Sequence, residues 1–242
     1  MNSIIANIRS IRERIASACA RSGRDPREVR LLLATKTVTP ENIKIALQTG
    51  QTLIGENKVQ ELKEKAASLM DIPHEKHFIG HLQTNKIRDV LKYDVACIES
   101  LDRLDLAEKL HQRLVFEQKT MNVLIQVNTS SEKSKFGISP ENAVELTRQA
   151  AKLDRLRIRG LMTIGIFSAE AAKVRECFKL LKNIRQEIIR QNIPNVEMQE
   201  LSMGMSGDLE IAIEEGATII RVGTAIFGER IYPDSYYWNE QT

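Results

Sequence analysis

Short apolar runs alternate with longer amphipathic stretches along most of this chain. Arg30–Lys36 is the first such run, three leucines and an alanine closed by a lysine. Runs this short read as strands buried on both faces, the kind found in parallel sheets. Further strands are expected at Thr52–Gly55, His77–Gly80, Asp94–Ile98, Asn122–Val127, Arg157–Thr163, Val196–Leu201 and Thr218–Val222. Between them apolar residues recur at helical spacing. Helices are expected over Pro40–Gln48, Asn57–Met70, Thr84–Leu91, Ser100–Phe116, Ser139–Lys152, Ser168–Gln191 and Asp208–Glu215, with further helical turns after Gly223. Thr39-Pro40-Glu41 and Ser139-Pro140-Glu141 each place a capping hydroxyl before a proline, which suits the first helical position. One extra helix, Ser3–Arg21, precedes the first strand and carries Ile4, Ile8, Ile11, Ile15 and Ala18 on one face.

This pattern is eight strand–helix units with no separate run of strands. It predicts a single (β/α)8 TIM barrel with an extra N-terminal helix, spanning residues 1–242 as one domain. A doubly wound open sheet is the alternative, but the glycine-rich dinucleotide turn of that class is missing. Composition adds exclusions. The net charge of +3 is too small to argue for nucleic acid or a membrane surface, and aromatics at 5% offer few stacking platforms. Cys19, Cys97 and Cys177 have neither zinc spacing nor an even count for a disulfide framework, which points to the cytoplasm. No apolar run is long enough for a membrane span.

In such a barrel the chemistry gathers where strands end. Lys36 ends the first strand; Glu56-Asn57, His81, Glu99-Ser100, Asn128-Thr129 and Thr163 follow later ones. A lysine closing a buried strand is costly unless paired or neutral, and such lysines attack aldehydes. It would otherwise reach solvent along its stem. Ser206-Gly207 and Gly223-Thr224 each stand before a helix start, where open N–H groups suit phosphate; either turn alone would read as plain capping. Arg221 interrupts Ile219-Ile220-Arg221-Val222 and needs an acceptor, either a carboxylate such as Glu197 or Glu99, or the ring nitrogen of a cofactor. An aldehyde-seeking lysine, a phosphate cradle and a cation facing a ring nitrogen together describe pyridoxal 5'-phosphate. Lys63-Glu64-Lys65 and Arg9–Arg14 read as solvated helix faces. His74, His77 and His111 have no metal-ligand spacing.

The ordered pieces Leu33-Ala34-Thr35-Lys36, Gly55-Glu56-Asn57, His77-Phe78-Ile79-Gly80-His81, Lys135-Phe136-Gly137, Gly160-Leu161-Met162-Thr163, Leu201–Ser206 and Arg221–Gly228 resemble the pyridoxal phosphate homeostasis proteins. Their barrel is that of the alanine racemase N-terminal domain. The resemblance implies a Schiff base at Lys36, Arg221 facing the pyridine nitrogen, Ser206, Gly223 and Thr224 on the phosphate, and Asn57 beside the cofactor. His81, Met203 and Gly207 would line the same rim. Lys58, where the family often has tyrosine, and Gly165 depart from the pattern away from these positions. Such a protein binds, buffers and delivers the cofactor inside the cell, with apo-enzymes as acceptors. An uncovered rim fits a monomer. The rival is an amino-acid racemase or decarboxylase. It would need a second base, and of Tyr93, Tyr232, Tyr236 and Tyr237 none has an obvious route to the rim. A Schiff-base aldolase would leave Arg221 unexplained.

Overall fold

A computed structural model describes residues 2–132 and 134–229. In chain order the elements are α1 (Asn2–Arg21), β1 (Arg30–Ala34), α2 (Pro40–Leu47), β2 (Leu53–Glu56), α3 (Val59–Leu69), β3 (Glu75–Phe78), α4 (Ile87–Lys92), β4 (Val95–Leu101) and α5 (Leu104–Phe116). They continue with β5 (Met121–Gln126), α6 (Ala143–Ala150), β6 (Leu156–Met162), α7 (Ala171–Arg190), β7 (Val196–Ser202), α8 (Leu209–Glu214), β8 (Ile219–Val222) and α9 (Thr224–Phe227). The strands form a closed parallel barrel in sequence order, β8 pairing back to β1. The expected architecture is therefore the observed one, extra N-terminal helix included.

Alternation along the strands sorts side chains between two environments. Leu31, Leu33, Ile220 and Val222 face outward and cluster with Ile4, Ile8, Ile11 and Ile15 of α1. Leu32, Leu53 and Ile219 face the other way and fill part of the barrel interior. Arg221 is paired in register with Leu32 and shares the inward face of Ile219. Alternation thus puts a guanidinium inside the barrel beside Leu32 and Ile219.

Three boundaries differ from the sequence reading in ways that matter. β1 stops at Ala34, so Lys36 lies in a turn rather than on the strand. Val38 N–H donates to the Thr35 carbonyl at 2.9 Å and closes that turn, and Thr37 occupies the left-handed region at φ 64°. β4 runs to Leu101, because Leu101 is fully buried and pairs with Ile125, so Glu99 and Ser100 belong to the strand. β3 begins at Glu75, paired with Leu53, and ends at Phe78.

Two charged helix faces are also less solvated than their spacing suggests. Lys63 and Glu64 are exposed, but Lys65 is buried and bonds to Glu56 and Glu61. Arg14 is half-buried and pairs with Glu210 of α8.

Candidate functional site

Four strands deliver their following residues to one cavity of about 450 Å³ on the carboxyl-end rim. Lys36 arrives after β1, Asn57 after β2, Ser206 after β7, and Arg221, Gly223 and Thr224 at the end of β8. All six expected site residues line this space, together with Gly207. Ile79, Ile164 and Ile166 give it apolar walls, and Phe167, 95% exposed, stands at its mouth. The apolar walls and Phe167 follow β3 and β6, where the sequence shows ordinary hydrophobic residues with nothing to mark them as rim.

The two turns behind β7 and β8 meet directly. The Thr224 hydroxyl donates to Ser206 Oγ at 3.3 Å, and the Ala225 N–H reaches the same oxygen at 3.4 Å. The extra N-terminal helix braces both turns. Arg14 donates to the Ser206 carbonyl at 3.0 Å, and Asn7 donates to the Ile226 carbonyl at 3.0 Å. The Arg14–Glu210 pair is about a third exposed on each side, so its own contribution to stability is small. An Arg14→Ala variant is expected to lose about 1 kcal/mol or less in urea unfolding. It should nonetheless weaken inorganic phosphate binding, read by calorimetry, because the Ser206 turn loses its brace.

Arg221 is 6% exposed and fixed from two sides. One Nη donates to Ser202 Oγ at 2.7 Å and the other to the Thr163 carbonyl at 2.7 Å. Burial pulls its guanidinium below the usual arginine range, and the nearby Glu99 and Asp208 oppose that pull. The charge is compensated along a ladder that crosses the barrel. Ser202 Oγ donates to Glu99 Oε2 at 2.5 Å, Glu99 Oε1 meets His77 Nδ1 at 2.6 Å, and His77 Nε2 meets Glu75 Oε1 at 2.8 Å. Arg30 closes the ladder on Glu75 at 2.5 Å. Burial alone would lower the His77 pKa, but its bonds to Glu75 and Glu99 outweigh this and raise it to about 9. The same bond to His77 draws Glu75 down to about 2. Of the two carboxylates considered for Arg221, Glu99 reaches it through Ser202, whereas Glu197 bonds to Arg159 at 2.7 Å.

Other rim candidates fall elsewhere. Met203 is fully buried in the main core between barrel and helices. His81 stacks on Phe136 at 3.9 Å and sits 3.6 Å from Asp102. Asn128 spends its amide on its own loop, donating to the carbonyls of Glu132 and Lys135. Tyr93 caps the end of α4, before β4 and so away from the rim. Tyr232, Tyr236 and Tyr237 lie outside the described residues.

The chain is similar to known proteins over almost its whole length. Residues 2–231 match the family model described as the alanine racemase N-terminal domain. A pyridoxal phosphate homeostasis protein of Aquifex aeolicus is 45% identical, over 91% of this chain and 95% of that one. One of Pseudomonas aeruginosa is 40% identical, over 96% of this chain and 98% of its own. This chain belongs to the pyridoxal phosphate homeostasis protein family. The solved structure of PipY of Synechococcus elongatus, with pyridoxal phosphate bound, superposes at a TM-score of 0.78. It is 35% identical, over 90% of this chain and all of that one. No helix among the described residues of this family member is long and apolar enough to cross a membrane.

The cavity's own chemistry fits the group carried by PipY. Asn57 lines the cavity, and its Oδ1 is buried with no hydrogen-bond partner among the described residues. The remaining lining offers a primary amine, a guanidinium and paired hydroxyls, which suit an aldehyde, a ring nitrogen and a phosphate respectively.

Proposed function

We propose that this protein binds pyridoxal 5'-phosphate in the rim cavity and holds it through Lys36, buffering the cofactor and delivering it to apo-enzymes. The observation that carries this reading is the convergence of Lys36, Asn57, Ser206, Arg221, Gly223 and Thr224 on one cavity from four strands. When bound, the cofactor supplies an aldehyde that condenses with a primary amine, forming a C=N bond and releasing one water.

Each residue then has a defined task. Lys36 presents the amine. The hydroxyls of Ser206 and Thr224, with the backbone of Gly207 and Gly223, grip the phosphate. Arg221 donates toward the ring nitrogen. A guanidinium only donates hydrogen bonds and cannot accept one from a protonated ring nitrogen, so it favours the unprotonated nitrogen. An unprotonated ring draws electrons weakly and supports carbanion chemistry poorly. Retention and transfer therefore suit the site better than turnover of an amino acid. Residues 1–242 act as one domain in this reading, working in the cytoplasm as a monomer.

The test is incubation of the full chain with pyridoxal 5'-phosphate, borohydride reduction and peptide mapping by mass spectrometry. The expected result is a visible-range absorbance band and a mass increase on the peptide carrying Lys36. Absence of both the band and the label would overturn the reading. Restoration of an apo-enzyme's activity by the loaded protein tests delivery.

A further inference from the structure

The turn that carries Lys36 is held from outside the cavity, by side chains that belong to neither the barrel rim nor the phosphate turns. Lys36 stands between two peptide groups, Thr35–Lys36 and Lys36–Thr37. The carbonyl of the first accepts from Lys65 Nζ at 2.8 Å. The N–H of the second donates to both carboxylate oxygens of Glu61, at 2.9 Å each. Glu61 and Lys65 lie one helical turn apart on α3 and are themselves bonded at 2.5 Å. Peptide groups are planar, so pinning one on each side of a residue fixes that residue's φ and ψ. The direction of its Cα–Cβ bond is fixed with them.

The surroundings make this more than a surface ion pair. Lys65 is 7% exposed and its ammonium also bonds Glu56 Oε1 at 2.9 Å. Thr35, fully buried, donates its hydroxyl to the same Glu56 oxygen at 2.6 Å. A buried ammonium needs such company, because removing its partners leaves an uncompensated charge. The neighbouring Thr37 sits at φ 64°, a left-handed conformation that a β-branched residue avoids. Such a conformation persists where the surroundings impose it, and here the turn bond from Val38 to the Thr35 carbonyl and the bidentate grip of Glu61 on the Thr37 N–H do so together.

We propose that Glu61 and Lys65 are positioning residues that set the approach of the Lys36 amine to the cofactor aldehyde. They touch neither the cavity nor the cofactor's phosphate turns, and act through the two peptide groups that flank Lys36. This rests on the reading above that Lys36 is the point of attachment. Misplacing a reacting group by an ångström costs on the order of 10²-fold in rate. Loosening the clamp should therefore slow attachment while leaving phosphate recognition, which comes from β7 and β8, in place.

The experiment compares wild type with Glu61→Gln, Lys65→Met and Lys65→Arg in the full chain. Stopped-flow absorbance follows attachment of pyridoxal 5'-phosphate, and titration with inorganic phosphate measures the phosphate turns separately. The ¹⁵N-resolved amide signal of Thr37, recorded without any cofactor, reports the Glu61 grip directly. Attachment is expected to slow by about ten- to a hundredfold in Glu61→Gln and Lys65→Met. Phosphate affinity should stay within about twofold of wild type, the Thr37 amide should shift in Glu61→Gln, and Lys65→Arg should recover part of the rate by restoring a donor. A wild-type attachment rate in Glu61→Gln overturns the proposal, and so does a parallel loss of phosphate binding, which marks a merely structural role. Should Lys65→Met fail to fold, Glu61→Gln decides the matter alone. Wild-type protein that takes no label on Lys36, with the Thr37 amide still shifting in Glu61→Gln, identifies the attachment reading as the part that failed.

Discussion

A Lys36→Ala variant is expected to lose covalent retention of pyridoxal 5'-phosphate while keeping its fold. A well-placed amine reacts as if present at an effective concentration of 10⁵ M or more, on the order of intramolecular reactions. Its removal should weaken retention by at least about 10²-fold, read by equilibrium dialysis. The phosphate and ring contacts of Ser206, Thr224 and Arg221 are untouched, so weak binding that competes with inorganic phosphate should survive. Lys36 is only half-buried and sits in a turn, and substitution there should shift stability by about 1 kcal/mol or less. Reduction with borohydride should leave Lys36→Ala unlabelled. Equal labelling of the variant and the wild type would move the attachment to another lysine.

Glu99→Ala should be the most destabilising single change in the barrel interior, by about 3–5 kcal/mol. Glu99 has no solvent exposure and accepts from both His77 and Ser202. Its loss strips the charged His77 ring of one carboxylate and leaves the Arg221–Ser202 bond without its far anchor. Urea unfolding should show a lower midpoint with an unchanged slope. The pH profile carries a second signature. His77 holds its proton more tightly folded (about 9) than at its ordinary 6.5, so its contribution is complete below about 6.5. That contribution is lost as pH rises through 9. Glu56, raised by burial from 4.5 to about 8, adds a loss of the same sign that begins earlier, as pH rises from about 4.5 to 8. Wild-type stability should therefore fall between pH 6.5 and 9, and the fall should be shallower in Glu99→Ala. A profile as steep in the variant as in the wild type would remove His77 as its source.

How much of this was legible beforehand depended on whether a residue announces itself locally. The period of the hydrophobic pattern changes between strand and helix, so all eight strands and their order could be read directly. Lys36 and Arg221 stood out because each puts a charge at or inside an apolar run, and the glycine turns stood out by composition. The interior ladder did not. Glu99 is readable as one possible partner of Arg221, but the links through Ser202 and His77 are not, because Glu99 and Ser202 are 103 residues apart and His77 and Glu99 are 22 apart. Lys65 was hidden for a related reason. Lys63-Glu64-Lys65 is charged on every side, and which residue turns inward depends on Glu56 waiting on β2. Met203 erred the other way: it follows a strand and so resembled a rim residue, but its side chain points into the core between barrel and helices.

In the delivery role proposed above, the closed sheet also governs how the protein would meet an acceptor. Each of the eight strands has a hydrogen-bonded neighbour on both sides, and β8 returns to β1. Among the described residues no sheet border is left for an incoming strand to extend, so main-chain augmentation of this barrel is closed. Any recipient must be recognised through side chains and loops around the mouth, where Phe167 is the most exposed large apolar group among the described residues. Contacts of that kind are made and broken without unzipping a backbone ladder, which suits the proposed delivery.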